Sequence, residues 1–169
     1  MCKFYSAIVM RNGDVLHNEN LLSHEDLIRL FNINDSQVNC DKFIRVEFCP
    51  DDYNDLPNIS KYNLKVDEEN IPDWFEQHRE FAENKLRDII KNRIITSDQK
   101  ILTGGLYVIS KDVIVNKVVN AYIYYNSGTV TDNSGTVTYN SGTVTYNSGT
   151  VTNNSGTVTY NYGTIINDK

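Results

Sequence analysis

The spacing of apolar residues changes character along this chain of 169 residues. Up to about residue 100 the apolar positions form short runs and helical spacings, whereas beyond residue 125 one apolar residue recurs at every seventh position, between two threonines. A short, regular period in a sequence rich in β-branched residues predicts stacked, nearly identical rungs. A helix is disfavoured there because every repeat also contains Gly and Ser. The pattern therefore predicts a β-solenoid, or β-helix, of heptapeptide repeats.

The repeat unit is Asn-Ser-Gly-Thr-Val-Thr-Tyr, and it occurs six times with few changes within residues 126–169. Alternation along a strand places the central apolar residue on one face and both threonines on the other. We expect Asn, Ser and Gly at the corners, where short polar side chains and a positive φ are tolerated. The predicted solenoid core is Val130, Val137, Val144, Val151, Val158 and Ile165. The predicted surface ladder is Thr129, Thr131, Thr136, Thr138, Thr143, Thr145, Thr150, Thr152, Thr157 and Thr159.

The seventh position of the heptad gives a hint of the coil size. From residue 125 to residue 160 the two departures from Tyr, which are Asp132 and Asn153, lie three heptads apart, and the full series reads Tyr125, Asp132, Tyr139, Tyr146, Asn153 and Tyr160. This spacing favours three heptads per coil, a triangular solenoid with Asp132 stacked on Asn153. Two heptads per coil, giving a flattened solenoid, is the alternative. Short apolar runs between residues 101 and 125 predict a degenerate first coil, so that a solenoid domain, 101–169, follows a head domain, 1–100.

The head has the pattern of a small α+β domain. Asn12-Gly13 predicts a hairpin with a type I′ turn. Ser23 and Asp73 each precede a helical spacing of apolar residues and are expected to cap a helix. Strands are predicted at residues 3–10, 14–17, 43–48 and 62–66, and helices from residue 23 and from residue 73 to about residue 92.

Charge and cysteine content narrow the class of protein. The formal net charge is −6, and the chain has no basic cluster, which argues against nucleic acid as a partner. It has no apolar run long enough for a transmembrane helix and no signal peptide, so we expect no membrane partner. Cys2, Cys40 and Cys49 are odd in number and irregularly spaced, which favours a reducing cytoplasm.

No set of residues forms an enzyme signature. His17, His24 and His78 lack the spacing of metal ligands. Cys2 would be a candidate nucleophile only with a neighbouring base, and none is identifiable. The sequence therefore predicts no catalytic residues, no cofactor and no metal, although an enzyme in the head is kept below as an alternative.

Six short segments of the head carry a distinctive sequence: Cys2-Lys-Phe-Tyr-Ser-Ala-Ile-Val9, Asn12-Gly-Asp14, Ser23-His-Glu-Asp-Leu-Ile28, Phe43-Ile-Arg-Val-Glu-Phe48, Leu64-Lys-Val-Asp-Glu68 and Pro72-Asp-Trp-Phe75. With these segments the first 125 residues resemble an uncharacterised family of phages and prophages, in which a similar head precedes tails of varied short repeats. The resemblance implies a phage or mobile-element origin and a head followed by a solenoid. It implies no activity, so no functional residue is transferred.

Our leading hypothesis is a non-catalytic binding or scaffold protein in the cytoplasm of a bacterial host cell. Its expected partners are a second copy of itself and an unidentified host protein, and a phage origin would suit a role in counter-defence or host takeover. Self-association is expected at the end of the solenoid, where Ile165 and Ile166 form the candidate edge.

Two alternatives stay open. The first is an enzyme in the head, with a pocket of polar side chains such as His17, Glu47, Asp67 and His78, and with the solenoid as an oligomerisation stem. The second is ice binding, because the Thr-x-Thr ladders are similar to those of insect β-solenoid antifreeze proteins.

Overall fold

The computed structural model describes residues 4–35 and 41–167 and divides into two compact units, Met1–Lys91 and Asn92–Lys169. Helices and strands make up the first unit, and a parallel β-solenoid of about five turns makes up the second. The second unit begins before the boundary expected after residue 100, because Ile94 and Ile95 already pair in parallel with Val108 and Ile109.

The head is built on an antiparallel sheet of four strands, β1 Ser6–Met10, β2 Val15–Leu16, β3 Phe43–Cys49 and β4 Asn63–Val66, in the order β2-β1-β3-β4. Its hairpin turns at Gly13, the only residue of the turn with a positive φ (90°). The expected type I′ turn is therefore wrong, since that turn needs two residues with positive φ. The helices of the head are α1 His24–Leu30 and α2 Asp73–Lys91.

Helix α1 packs on one face of this sheet. Ser23 caps it, because its hydroxyl accepts a hydrogen bond of 3.1 Å from the backbone N–H of Asp26. Leu27 of the helix is fully buried against Ile8 of β1 and Phe43 of β3. Burial of this apolar cluster attaches the short helix, whose seven residues would not be stable in isolation.

Helix α2 packs on the opposite face of the sheet. Its buried residues recur at helical spacing, and Arg87 lies over the ring of Phe48, 5.2 Å from the centroid. Phe48 and Phe43 are five positions apart on β3, so their side chains point to opposite faces. The buried positions of α2 are Phe75, Ala82, Leu86 and Ile90.

The solenoid consists of two columns of parallel strands, which we call face 1 and face 2. The strands are β5 Ile94–Ile95, β6 Leu102–Thr103, β7 Leu106–Ile109, β8 Ile114–Asn126, β9 Thr129–Asn140, β10 Thr143–Asn147, β11 Thr150–Thr152, β12 Thr157–Asn161 and β13 Thr164–Ile166. Face 1 contains β6, the first halves of β8 and β9, β10 and β12. Face 2 contains β5, β7, the second halves of β8 and β9, β11 and β13.

Each coil of the repeat region contains two heptads, so the predicted three heptads per coil are wrong. Val144 pairs with Val130 below it and Val158 above it, fourteen residues away in each direction. Asp132 pairs with Tyr146 and not with Asn153. One Val per side is too small to fill the interior of a triangular coil, whereas in the two-sided coil the columns of both faces join one apolar cluster.

The lower coils are longer. Leu106 pairs with Tyr122, sixteen residues on, and Ile114 pairs with Thr129, fifteen residues on. Two residues of these coils, Asp112 and Asn120, have positive φ values of 64° and 50°. The segment that the sequence marked as a degenerate first coil thus forms larger coils of the same two-faced solenoid.

Burial decreases toward the last rung. Val130, Val137, Val144 and Val151 have no exposed surface and belong to one apolar cluster. Val158 is partly buried against this cluster, and Ile165 is 38% exposed. The gradient follows from stacking, because a rung side chain is covered fully only when a further rung lies above it.

Candidate binding surface

The interior of the solenoid contains a hydrogen-bonded ladder of asparagines on each face. The amide Nδ2 of Asn126 donates to Oδ1 of Asn140 at 2.7 Å, and Nδ2 of Asn133 donates to Oδ1 of Asn147 at 2.8 Å. The next steps, to Asn154 and Asn161, measure 2.6 and 2.7 Å. These asparagines lie at the corners, as expected, and they are largely buried on the lower rungs, so their amides belong to the core.

Each asparagine also holds the corner that follows it. Oδ1 of Asn126 accepts from the N–H of Gly128 at 3.2 Å, and Nδ2 of Asn147 donates to the carbonyl of Gly149 at 3.3 Å. The side chain therefore bonds both to the next rung and to its own turn, which satisfies a buried amide. The recurrence of Asn at every seventh position was the signal for this ladder, but it is equally typical of a turn.

The glycines are required by close approach of the rungs. A Cβ on Gly142 would lie 2.0 Å from the carbonyl oxygen of Gly128 in the rung below. No described glycine of the heptads has a φ in the left-handed region. The expected reason, a positive φ, is therefore wrong at these positions, and the absence of a side chain is what the corner needs.

The outer surface consists of threonine and tyrosine columns. Thr129, Thr143 and Thr157 stack on face 1, and Thr136 and Thr150 stack on face 2. Most of these threonines are half-exposed, so the flat ladders lie on two faces of the repeat region. Columns of this kind present hydroxyl and methyl groups at the rung spacing of about 4.8 Å.

The tyrosines stack with the fourteen-residue register. Tyr146 and Tyr160 lie parallel, with ring centroids 5.0 Å apart and planes 11° apart. Tyr139 lies over Tyr125 in the register of the strands and contacts the ring of Tyr124 edge-on at 5.4 Å. The pairings implied by a triangular coil, Tyr125 with Tyr146 and Tyr139 with Tyr160, do not form.

The last rung of the solenoid exposes several large apolar side chains. Ile165 and Ile166 are 38% and 47% exposed, and Tyr160 is 49% exposed. Strands β12 and β13 each pair with the rung below, and no described strand pairs with their other edges. The sequence also has no charged residue between positions 133 and 167. Charges and prolines are the usual protection of a sheet edge, and this edge has neither.

A groove follows one corner of face 1. Its walls are Lys117, Asp132, Ser134, Tyr146, Ser148 and Tyr162, and the buried asparagines Asn133 and Asn147 also line it. Tyr162, with 79% of its surface exposed, is the most exposed large hydrophobic residue in the described chain.

The histidines of the head have different partners. Nδ1 of His17 lies 3.1 Å from the hydroxyl of Tyr5, and Nε2 of His78 lies 3.2 Å from the carbonyl of Arg11. His24 is buried, with Nδ1 3.3 Å from Oδ2 of Asp67. Nε2 of His24 contacts the carbonyl of Val46 at 3.0 Å, and the buried Glu47 lies opposite Ser6 in the sheet. Of the polar residues proposed for a head pocket, Asp67 contacts His24, and His17 and His78 have separate contacts.

Two shifted pKa values in the head have structural causes. Burial raises the pKa of Tyr62, whose hydroxyl donates to the carbonyl of Leu56 at 2.7 Å. Burial alone would lower the pKa of Arg45, but hydrogen bonds to Glu68 and Asp35 outweigh it and raise that pKa. Both groups keep their usual protonation state at neutral pH, so neither indicates acid-base catalysis.

Within residues 4–35 and 41–167, no group of three or more His, Cys, Asp or Glu side chains is arranged to hold a metal ion. None of the helices in the described part of the chain is long and apolar enough to cross a membrane.

We compared the chain with models of protein families, with curated proteins and with solved structures, and none of the three comparisons found a match. The resemblance to a phage family therefore stays a prediction.

Proposed function

We propose that this protein is a non-catalytic scaffold that associates with a second copy of itself through the last rung of the solenoid. The observation that carries the proposal is the apolar, uncharged and singly paired edge formed by β12 and β13. A role in a bacterial host cell, in counter-defence or host takeover, is part of the proposal and rests on the family resemblance alone.

A second copy suits this edge because its last rung has the same chemistry. Each strand of the edge offers unpaired backbone N–H and C=O groups, and an identical strand offers the same groups in return. Pairing would also cover Val158, Ile165 and Ile166, which lack a rung above them among the described residues. A partner of different sequence would have to provide strands with the same alternation.

The geometry of a closed pair restricts the pairing. A twofold axis through the interface lies perpendicular to the solenoid axis and either along or across the strands. With either axis, each strand at the interface runs in the opposite direction to the strand of the second copy that faces it. The rungs of the two copies would therefore pair antiparallel, in contrast to the parallel pairing within each copy.

The test is the mass of the particle in solution. Light scattering coupled to size exclusion should report two chains per particle for the wild type in the micromolar range, where association is worth about 8 kcal/mol. Ile165→Lys combined with Ile166→Lys should give one chain, because two ammonium groups per copy would introduce charge at the edge that the second copy must cover.

A matched control places the same charges on the outer surface of a middle rung. Thr143→Lys combined with Thr145→Lys adds two lysines at half-exposed positions of β10 and should leave the dimer intact. Circular dichroism must show that both variants fold. A monomeric wild type, or a dimer that the Ile165→Lys/Ile166→Lys variant retains, would contradict the proposal.

A further inference from the structure

Two departures from the repeat converge on one groove of the solenoid. Asp132 stands at a position where three other repeats have Tyr, and Tyr162 stands where the other repeats have Ser. Both line the groove at the corner of face 1, which has a volume of about 240 Å³. Stacking of identical heptads does not require either side chain. We propose that this groove binds one neutral sugar unit of a linear oligosaccharide.

The groove runs along the solenoid axis between two stacked columns. One column contains Lys117, Asp132 and Tyr146, which pair in register on successive rungs. The second contains Ser134, Ser148 and Tyr162, which are fourteen residues apart and so lie above one another. Asn133 and Asn147 lie between the columns, and their amides are already bonded to other rungs and corners. Because those amides already have partners, a ligand would bind through the side chains of the two columns.

The walls combine aromatic faces with hydroxyl and carboxylate oxygens. Tyr160 stacks on one face of the Tyr146 ring, and Tyr162 is mostly exposed. An aromatic face covers the apolar C–H side of a sugar ring, and the phenol hydroxyl offers a polar edge. Ser134 and Ser148 donate their own hydrogens to the carbonyls of Val118 and Asn133, so their oxygens can accept from sugar hydroxyls.

The charges of the groove favour a neutral ligand. Lys117 and Asp132 lie on neighbouring rungs, and the described chain shows no ion pair of 4.0 Å or less for either side chain. Their opposite charges cancel, so neither an anion nor a cation gains net attraction from the pair. A sugar satisfies both, because its hydroxyls donate to the carboxylate and accept from the ammonium group.

The size of the groove restricts the length of ligand that it holds. Its volume of about 240 Å³ lies below the roughly 300–1,000 Å³ of sites for drug-sized ligands. One ring therefore fills it, and adjoining rings of a linear chain would extend along the solenoid axis.

The experiment is a titration of the full ¹⁵N-labelled chain, followed by amide chemical shifts. The probes are maltotriose, cellotriose, chitotriose, mannotriose and the anionic trisaccharide sialyllactose, each added to about 10 mM, which detects complexes with dissociation constants in the millimolar range. We expect at least one neutral trisaccharide to shift the amides of residues 132–134, 146–148 and 162, with a smaller effect from sialyllactose.

Two variants restore the repeat and so remove the groove chemistry at little risk to folding. Asp132→Tyr and Tyr162→Ser each introduce the residue that other heptads have at that position, and each should weaken binding by roughly tenfold or more. Thr159→Ala, at an exposed position outside the groove, should leave the affinity unchanged. Light scattering on each variant separates loss of binding from a change in association.

Three results would overturn the proposal. One is the absence of shifts at the groove with every neutral trisaccharide. Another is stronger binding of sialyllactose than of the neutral probes. The third is unchanged binding by both variants that restore the repeat.

Discussion

One valine and one asparagine per heptad occupy the interior of the solenoid, and they stabilise it in different ways. The valines add apolar burial, whereas each asparagine adds bonds to the next rung and to its own corner. A buried amide without partners would be costly, so the ladder also fixes the register of the rungs. Slippage by one residue would exchange inward and outward side chains along the whole rung.

Val144 provides a test of the apolar column. Val144→Asp would place a carboxylate at a position with no exposed surface, at a cost of several kcal/mol. Thr143→Asp, one residue away at a half-exposed position, should cost less than about 1 kcal/mol. Thermal melts followed by circular dichroism compare the two, and equal losses of melting temperature would contradict an inward-facing Val.

Asn147 provides the test of the ladder. Asn147→Asp keeps the shape but removes the two donors that bond Asn161 and Gly149, so oxygens would face oxygens. We expect a loss of several kcal/mol in the free energy of unfolding.

The pH dependence of Asn147→Asp has a definite sign. The buried carboxyl would have a folded-state pKa raised above its unfolded value, so its protonated form favours folding. Part of the lost stability should therefore return as pH falls. Asn116→Asp, at an exposed position of β8, should show neither the loss nor the recovery. Equal melting temperatures of the two variants would show that the ladder adds no stability.

At the residue scale the sequence predicted the repeat and the β-branched alternation, because both appear directly as a pattern. It could not separate the two roles of Asn, since buried ladders and exposed turns favour the same residue. Of the groove residues, Asp132 was noted as a departure from the repeat, whereas Tyr162 was not singled out. Only the fourteen-residue register brought them to one corner.

At the scale of elements, the coil size was the main error. The spacing of Asp132 and Asn153 suggested three heptads, but a sequence departure needs no structural partner. Coil size is set by how much volume the inward side chains fill, which is a property of the folded coil. In the head, the helices that begin at His24 and Asp73 and the strands near residues 43–48 and 62–66 were predictable from spacing. Ser23 caps its helix as expected, whereas Asp73 is the first residue of its helix and not its cap.

Helix α2 also fixes the segment that leads into β4. Arg87 donates to the carbonyls of Ile59 and Tyr62 at 2.7 and 2.9 Å and pairs with Glu83 at 2.7 Å. Such charge-assisted bonds to backbone carbonyls are worth about 1–3 kcal/mol.

Replacement of Arg87 tests this role. Arg87→Met should lower the melting temperature of the head by about 4–8 °C for each kcal/mol lost. Lys91→Met removes an exposed pair with Asp88 on the same helix and should have an effect below about 1 kcal/mol. If the two variants have the same melting temperature, Arg87 does not hold the segment in place.

At the scale of the whole molecule, the fourteen-residue coil determines the other features of the solenoid. The two flat faces, the asparagine ladders, the groove and the last rung all follow from it. A coil of twenty-one residues would stack the same residue types but pair different heptads, with Asp132 against Asn153 in place of Tyr146.

Disulfide cross-linking measures this coil directly. In a chain with Cys2→Ser, Cys40→Ser and Cys49→Ala, the pair Asp132→Cys and Tyr146→Cys places thiols on neighbouring strands in register. The strands are about 4.8 Å apart, within the range of about 4.4–6.8 Å between Cα atoms that a disulfide needs.

The matched pair is Asp132→Cys with Asn153→Cys, which a three-heptad coil would stack and which the present structure places on opposite faces. Mass spectrometry after mild oxidation, with and without reductant, detects the intramolecular bond in each. We expect a disulfide between positions 132 and 146 and none between 132 and 153. A bond between 132 and 153 with none between 132 and 146 would contradict the two-heptad solenoid.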